Sequence, residues 1–229
     1  MTAPLFYNPF HSDAVAQNSI IGPTGTITGT ASYSAVKHDN GGRVANSAGY
    51  FLFTGVDIGL DYGCIEFWCK FPEVPASTPA QYLFGKNGSP TSFIWWEVTG
   101  ANFLVKFVPN LTNQFTMTKT IGDWTGGGAN EVHHLALVWD MDLGPDWDDR
   151  VFTYVNGTPT GTLDLTEVGS PTPAMMKSAV VNDLQVSNNT ASKASTIYIN
   201  NLKYFNYTKT DFSDRFQKRA GLNDQIVNH

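Results

Sequence analysis

The sequence predicts an all-β fold, an antiparallel jelly-roll β-sandwich with a short C-terminal helix. Three observations predict it. Residues 63–71, G-C-I-E-F-W-C-K-F, alternate with a period of two: Ile65, Phe67 and Cys69 fall on one face, Glu66, Trp68 and Lys70 on the other. That is a strand signal. The pattern recurs in V-H-H-L-A-L-V-W-D (Val132–Asp140), V-F-T-Y-V-N-G (151–157) and T-I-Y-I-N-N-L-K-Y-F (196–205). Finally, turn clusters separate about a dozen such segments and only the end looks helical, so the strands must bury one another in a two-sheet sandwich.

Taken in order, residues 1–16 are irregular, with two prolines and three aromatics, and read as an N-terminal arm on the domain or a neighbour. Residues 17–210 form the sandwich. The Thr-, Ile- and Gly-rich stretch 18–33 suggests short edge strands, H-D-N-G-G-R within 36–49 a turn, and Y-F-L-F-T (50–54) a short apolar strand. After a proline-rich loop at 72–80 come Q-Y-L-F-G-K, S-F-I-W-W-E-V and N-F-L-V-K-F-V, a meander, then N-Q-F-T-M-T-K-T (Asn113–Thr120). Residues 123–130 are too Gly-rich to be anything but a loop. Asn156-Gly157 marks a type I′ hairpin turn. Residues 165–178 read as a long loop, and 179–187 and 196–207 close the sheet. Residues 211–229 are a short helix and tail, with Asp211 as cap and Gly221 as stop.

Composition narrows the function. The 229 residues are 41% hydrophobic but only 15% charged, so the surface is built from Thr, Ser, Asn and Gly. A net charge of −6 with no Lys/Arg run argues against nucleic acid as partner, because phosphate binding needs a basic face. The N-terminus lacks the basic and apolar regions of a secretory signal, and no apolar run is long enough to span a membrane. No signal peptide and no transmembrane segment are therefore expected. Cys64 and Cys69 point to opposite faces of one strand, roughly 16 Å apart at extended rise, too far for the about 7 Å a disulfide allows. Both read as reduced packing residues.

Five of these segments in this order resemble a laminin-G-like domain of the concanavalin A-like lectin/glucanase superfamily: G-C-I-E-F-W-C-K-F, Q-Y-L-F-G-K-N-G, E-V-H-H-L-A-L-V-W-D, V-F-T-Y-V-N-G-T-P-T-G-T and I-Y-I-N-N-L-K-Y-F-N-Y-T-K-T-D-F-S-D. The resemblance covers residues 20–215 and implies a jelly roll of two curved sheets. The superfamily includes lectins, glucanases and structural domains, so the fold alone does not name the function. Its members often carry acidic residues in the last strand, where this chain has Asn200 and Asn201.

Four sets of residues are candidates. Trp95 and Trp96 are neighbours in one strand with opposite orientations, so one is expected outside, where an indole can stack on a sugar ring or anchor an interface. Trp147 and Trp124 are further aromatic candidates, against the plainer reading that tryptophans fill cores. The acidic loop after Asp140 offers Asp142, Asp146 and Asp148 as calcium ligands, against a solvated hairpin tip; calcium is the one cofactor suggested. Glu66 is the nearest thing to a glycosidase carboxylate, but no second acid shares its strand face and that chemistry needs two. His133 and His134 point to opposite faces and cannot chelate one ion together.

These features lead to a non-catalytic binding or structural protein, with a glycoside hydrolase disfavoured. One reading is a phage or viral particle component, a capsid decoration or tail-associated protein. It would fold in the host cytoplasm, act on the virion surface, touch other virion proteins or its own copies through the arm, and adhere to cell-surface glycans. The alternative is a stand-alone lectin or carbohydrate-binding module. No nucleic-acid or membrane partner is expected.

Overall fold

The computed structural model describes residues 3–37, 39–44, 49–71, 81–85, 93–99, 102–110, 112–120, 131–161, 164–186 and 197–216. In chain order the elements are β1 (Phe6–Asn8), α1 (Asp13–Gln17), β2 (Gly25–Thr28), β3 (Ala31–Ala35), β4 (Asn40–Val44), β5 (Tyr50–Gly59), β6 (Tyr62–Lys70), β7 (Gln81–Gly85), β8 (Phe93–Thr99), β9 (Asn102–Asn110), β10 (Asn113–Thr120) and β11 (Val132–Asp140). A 3-10 turn (Trp147–Asp149) leads to β12 (Val151–Val155), β13 (Thr158–Pro159), β14 (Asp164–Val168), α2 (Pro173–Lys177), β15 (Val180–Val186) and β16 (Tyr198–Phe205). A second 3-10 turn, Ser213–Phe216, follows.

The strands form two antiparallel sheets of eight. One runs β13-β12-β11-β6-β16-β4-β3, with β1 also paired to β16; the other runs β14-β10-β9-β8-β7-β15-β5-β2. The sandwich and the β7-to-β10 meander are as the sequence predicts. Between the sheets, Ile65, Phe67 and Cys69 of β6 meet the inward faces of β5, β9, β10 and β15, including Phe51, Phe53, Phe107 and Phe115. Cys64 points the other way and is buried in a separate cluster with Ala136, Val138, Tyr154, Phe205 and Phe212. Both thiols are free. The turn at Asn156 and Gly157 has φ of 53° and 83°, the left-handed pair of a type I′ hairpin.

Three expectations are corrected. Residues 3–16, expected as an arm on the domain or a neighbour, lie on the domain: β1 adds to β16, and Phe6 and Phe10 pack edge-on against Phe53 and Phe51 with no exposed surface. Burying each phenyl is worth about 1.5–3 kcal/mol, enough to hold the segment in place. Ser12 accepts a bond from the Val15 amide and starts α1, a cap that was missed. The glycines of H-D-N-G-G-R are strand residues of β4. They are small because a Cβ on Gly41 would lie 2.8 Å from the Ile199 carbonyl, and one on Gly42 3.1 Å from that of Phe10. The expected loop at 165–178 contains most of β14, whose residues are all exposed, and α2, capped by Thr172.

The expected loops at 72–80 and 123–130 with Trp124, the K-N-G-S-P segment at 86–90 and the part of the expected helix and tail beyond 216 lie outside the described residues. No described helix is long and apolar enough to cross a membrane.

Candidate functional site

The second face of β6 carries Glu66, Trp68 and Lys70, as the alternation predicts, and Glu66 and Trp68 are covered. Residues 205–216 cross over it as a strap, placing Phe205 and Phe212 on Cys64, Ala136, Val138 and Tyr154. The Trp68 indole donates to the Arg215 carbonyl at 3.1 Å. Gly157 lets the Arg215 guanidinium come close: a Cβ there would sit 2.8 Å from Nη1.

Glu66 lies beneath this strap at 1% exposure. It accepts from Lys203 Nζ at 3.1 Å and from Lys209 Nζ at 2.8 Å. Lys209, at 6% exposure, also donates to Asp214 Oδ1 at 2.9 Å, and its ammonium lies 4.8 Å and 5.1 Å from the Phe205 and Phe212 ring centroids. Burial opposes the charge on Lys209, but Glu66 and Asp214 outweigh it and hold its pKa above the ordinary lysine value. His134 Nε2 is 3.7 Å from Glu66 Oε2, while Nδ1 is buried with no hydrogen-bond partner. Burial, aided by Lys203, Lys209 and Arg215, pushes its pKa down to about 3, so the ring is neutral. Tyr207, Thr208, Thr210, Asp211 and Ser213 line an open cleft of about 310 Å³ above Lys209 and Asp214.

A second carboxylate, Asp214 from far along the chain, therefore shares the Lys209 ammonium with Glu66. It is no glycosidase pair. The Lys209 ammonium occupies the space between the two acids, and neither a water nor a sugar could be flanked as hydrolysis requires. The cluster neutralises its own charges and fastens the strap to the sheet.

His133 stands apart from His134, as expected from strand alternation. Its Nε2 is 3.5 Å from Glu131, and burial lowers its pKa against that carboxylate. Asn200 and Asn201 hold the junction of β1, β4 and β16. Asn200 Nδ2 donates to the Pro9 and Asn40 carbonyls at 3.0 and 2.7 Å, Asn201 Nδ2 to Asn200 Oδ1 at 2.6 Å, and the Tyr7 hydroxyl to Asn201 Oδ1 at 2.7 Å.

Asp142, Asp146 and Asp148 do not converge. Asp142 pairs with Lys177 of α2, Asp146 precedes the 3-10 turn without capping it, and Asp148 is exposed, with partial burial and then Asp146, Asp149 and Asp164 raising its pKa. Among the described residues no group of three His, Cys, Asp or Glu side chains could hold a metal ion. Arg150 instead organises the loop by donating to the Gly144 and Pro145 carbonyls.

Trp147 is partly exposed and ties the loop after β11 to the second sheet. Its ring stacks on Phe115 at 4.4 Å and 27°, its Nε1 donates to Glu167 Oε1 of β14 at 2.6 Å, and Arg150 lies 5.5 Å from its centroid. Trp95 and Trp96 are both on β8, described here by backbone register. Trp96 is paired with Val105, a residue of the core, and Trp95 with Lys106, which is partly exposed. The register continues from Lys106 to Thr116 of β10 and Thr166 of β14. One cross-strand row thus reads Trp95, Lys106, Thr116, Thr166.

No protein-family model matches this sequence, and no curated protein does. Solved structures do resemble it. A botulinum neurotoxin type C structure, described through cell entry dependent on two ganglioside molecules, gives a TM-score of 0.64 at 10% identity over 90% of this chain and 48% of that one. The receptor-binding domain of botulinum neurotoxin type G gives 0.64 at 11% identity, covering 94% and 51%. The binding domain of serotype D/C gives 0.65 at 10%, covering 93% and 51%. The chain spans about half the length of these structures. The likeness is one of fold, a β-sandwich.

Proposed function

We propose that this chain is a non-catalytic, carbohydrate-binding β-sandwich module of the laminin-G-like, concanavalin A-like type. Its glycan site lies on the second sheet along the row Trp95, Lys106, Thr116 and Thr166. That row carries the reading: an aromatic residue, a cation and two hydroxyls in register across four strands offer a stacking surface beside hydrogen-bonding groups, which is what a sugar ring needs. The fold likeness to toxin binding domains, one described with gangliosides and another in complex with rat synaptotagmin II, supports a receptor-binding role. The lysine-filled Glu66 site supports the non-catalytic part.

The experiment is a glycan screen on the chain and on Trp95→Ala and Lys106→Gln, with and without calcium. Binding that is lost in Trp95→Ala supports the site. Binding that survives Trp95→Ala and Lys106→Gln places it elsewhere.

A second reading puts this module on a phage or viral particle, working at the virion surface. Its support is the pair of buried, reduced cysteines and the low charge. The N-terminal arm adds no support to it, since Phe6 and Phe10 are core residues of this chain. Stoichiometric presence of the chain in purified particles tests it; absence removes it.

A further inference from the structure

The first sheet ends in β13 and β3, the second in β14 and β2. β13 is two residues long and ends in Pro159, which has no amide hydrogen to offer a further strand. β2 and β3 are tied to α1, which packs on β2 and whose Asp13 accepts from the Tyr33 hydroxyl of β3. β14 differs: all five of its residues are exposed, and among the described residues only β10 pairs with it. Two of the five are large and apolar, Leu165 at 38% and Val168 at 50% exposure. Such an edge is a template for another strand. Its own sequence, D-L-T-E-V, fits that strand. Two copies meeting antiparallel about a twofold axis must place residues of the same face opposite each other, so the axis passes through one residue and its copy. An axis at Asp164 or Glu167 sets like charges directly opposite, which is destabilising. An axis at Leu165 or Val168 overlaps only part of the strand. An axis at Thr166 pairs all five residues: Asp164 faces Val168, Leu165 faces Glu167, Thr166 faces its copy, and no acid faces an acid.

From this register we infer that β14 is the interface between two copies of this chain, joined antiparallel about Thr166 so that their second sheets become one. The two acids of the strand then serve to select the register, excluding those in which they would meet. On the inner face, Leu165 of each copy lies against the stem of Glu167 of the other, a side chain already held by the Trp147 indole. On the outer face, the row of Trp95, Lys106, Thr116 and Thr166 runs on into Thr166 of the second copy. The two rows form one line of seven strand spacings, roughly 34 Å, so the site continues from one copy into the other. That continuity rests on the reading of the Trp95 row as the glycan site; the pairing does not. A single short ladder buries less surface than a standard interface, so association is weak, with a Kd on the order of 100 μM.

The test is sedimentation equilibrium of the whole chain without glycan, which should show a monomer and a dimer in exchange. Val168 faces Asp164 of the other copy twice in each dimer. Val168→Lys should therefore tighten association and Val168→Glu loosen it, each about fivefold. The position is exposed, and thermal melts check that both variants fold. Oxidised glutathione should cross-link Thr166→Cys to its copy, because directly opposite residues lie within disulfide reach. Asp164→Cys should not cross-link, since its copy lies about 13 Å further along the facing strand. The native thiols are buried and do not compete. Trp95→Ala should leave association unchanged, so failure of the glycan site and failure of the interface are read separately. The inference is overturned if the chain stays monomeric at about ten times the expected Kd, or if the two Val168 variants fail to shift association in opposite directions. Cross-linking of Asp164→Cys as readily as Thr166→Cys also overturns it.

Discussion

Lys209 places its ammonium 2.8 Å from Glu66 across 143 residues of sequence, both groups almost fully buried. This pair fastens the C-terminal strap to the middle of the first sheet. Removing one partner leaves the other as an uncompensated buried charge. Lys209→Met should therefore destabilise the fold by about 3 kcal/mol, read from urea unfolding. The double variant Glu66→Leu with Lys209→Met should lose much less than the sum of the single variants. Additive losses would contradict the pairing.

The strap also shields one thiol. Cys64 lies against Phe205 and Phe212, whereas Cys69 belongs to the core between the sheets. Burial raises both thiol pKa values, with Glu66 adding to the effect at Cys64. Neither cysteine should react with a thiol reagent in the native state. Asp214→Asn, which loosens Lys209, should speed labelling of Cys64 and leave Cys69 protected. Equal acceleration at both would mean global unfolding rather than strap release.

His134 sets an acid limit. Its folded pKa of about 3 lies below the ordinary 6.5, so between these values the unfolded chain binds a proton that the folded chain refuses. The contribution is complete above pH 6.5 and is lost as pH falls toward 3, by up to about 1.4 kcal/mol per unit. Melting temperatures from pH 7 to 4 should fall more steeply for the natural chain than for His134→Gln. Parallel curves would count against this origin.

Trp147→Ala separates packing from recognition. The stack on Phe115 and the bond to Glu167 would go, at a loss of about 3 kcal/mol as for other aromatic truncations. Glycan affinity should stay the same; if binding is lost while stability is kept, Trp147 is a ligand contact after all.

Much of the fold is legible in the sequence because strand alternation is local. β10 and β11 begin and end where their periodicity does, and Asn156-Gly157 announces its own turn. What is not legible depends on distant partners. Alternation assigns Glu66 to the second face of β6 but cannot tell that Phe212 and Lys209 will cover that face. Gly41 and Gly42 carry the composition of a turn, and only the approach of Ile199 and Phe10 gives them a strand role. β14 has no buried residue to mark it and exists through its ladder with β10. Trp95 is the converse case: the sequence singled out the tryptophan pair, and the register then distinguishes Trp95 from Trp96.

The measurement that bears most directly on the proposed function is glycan binding by the intact chain beside Trp95→Ala and Trp147→Ala. The account predicts binding to at least one glycan, loss of that binding in Trp95→Ala, retention in Trp147→Ala, and no cleavage of the bound sugar on prolonged incubation. Hydrolysis of the glycan, or binding unchanged by Trp95→Ala, would contradict it.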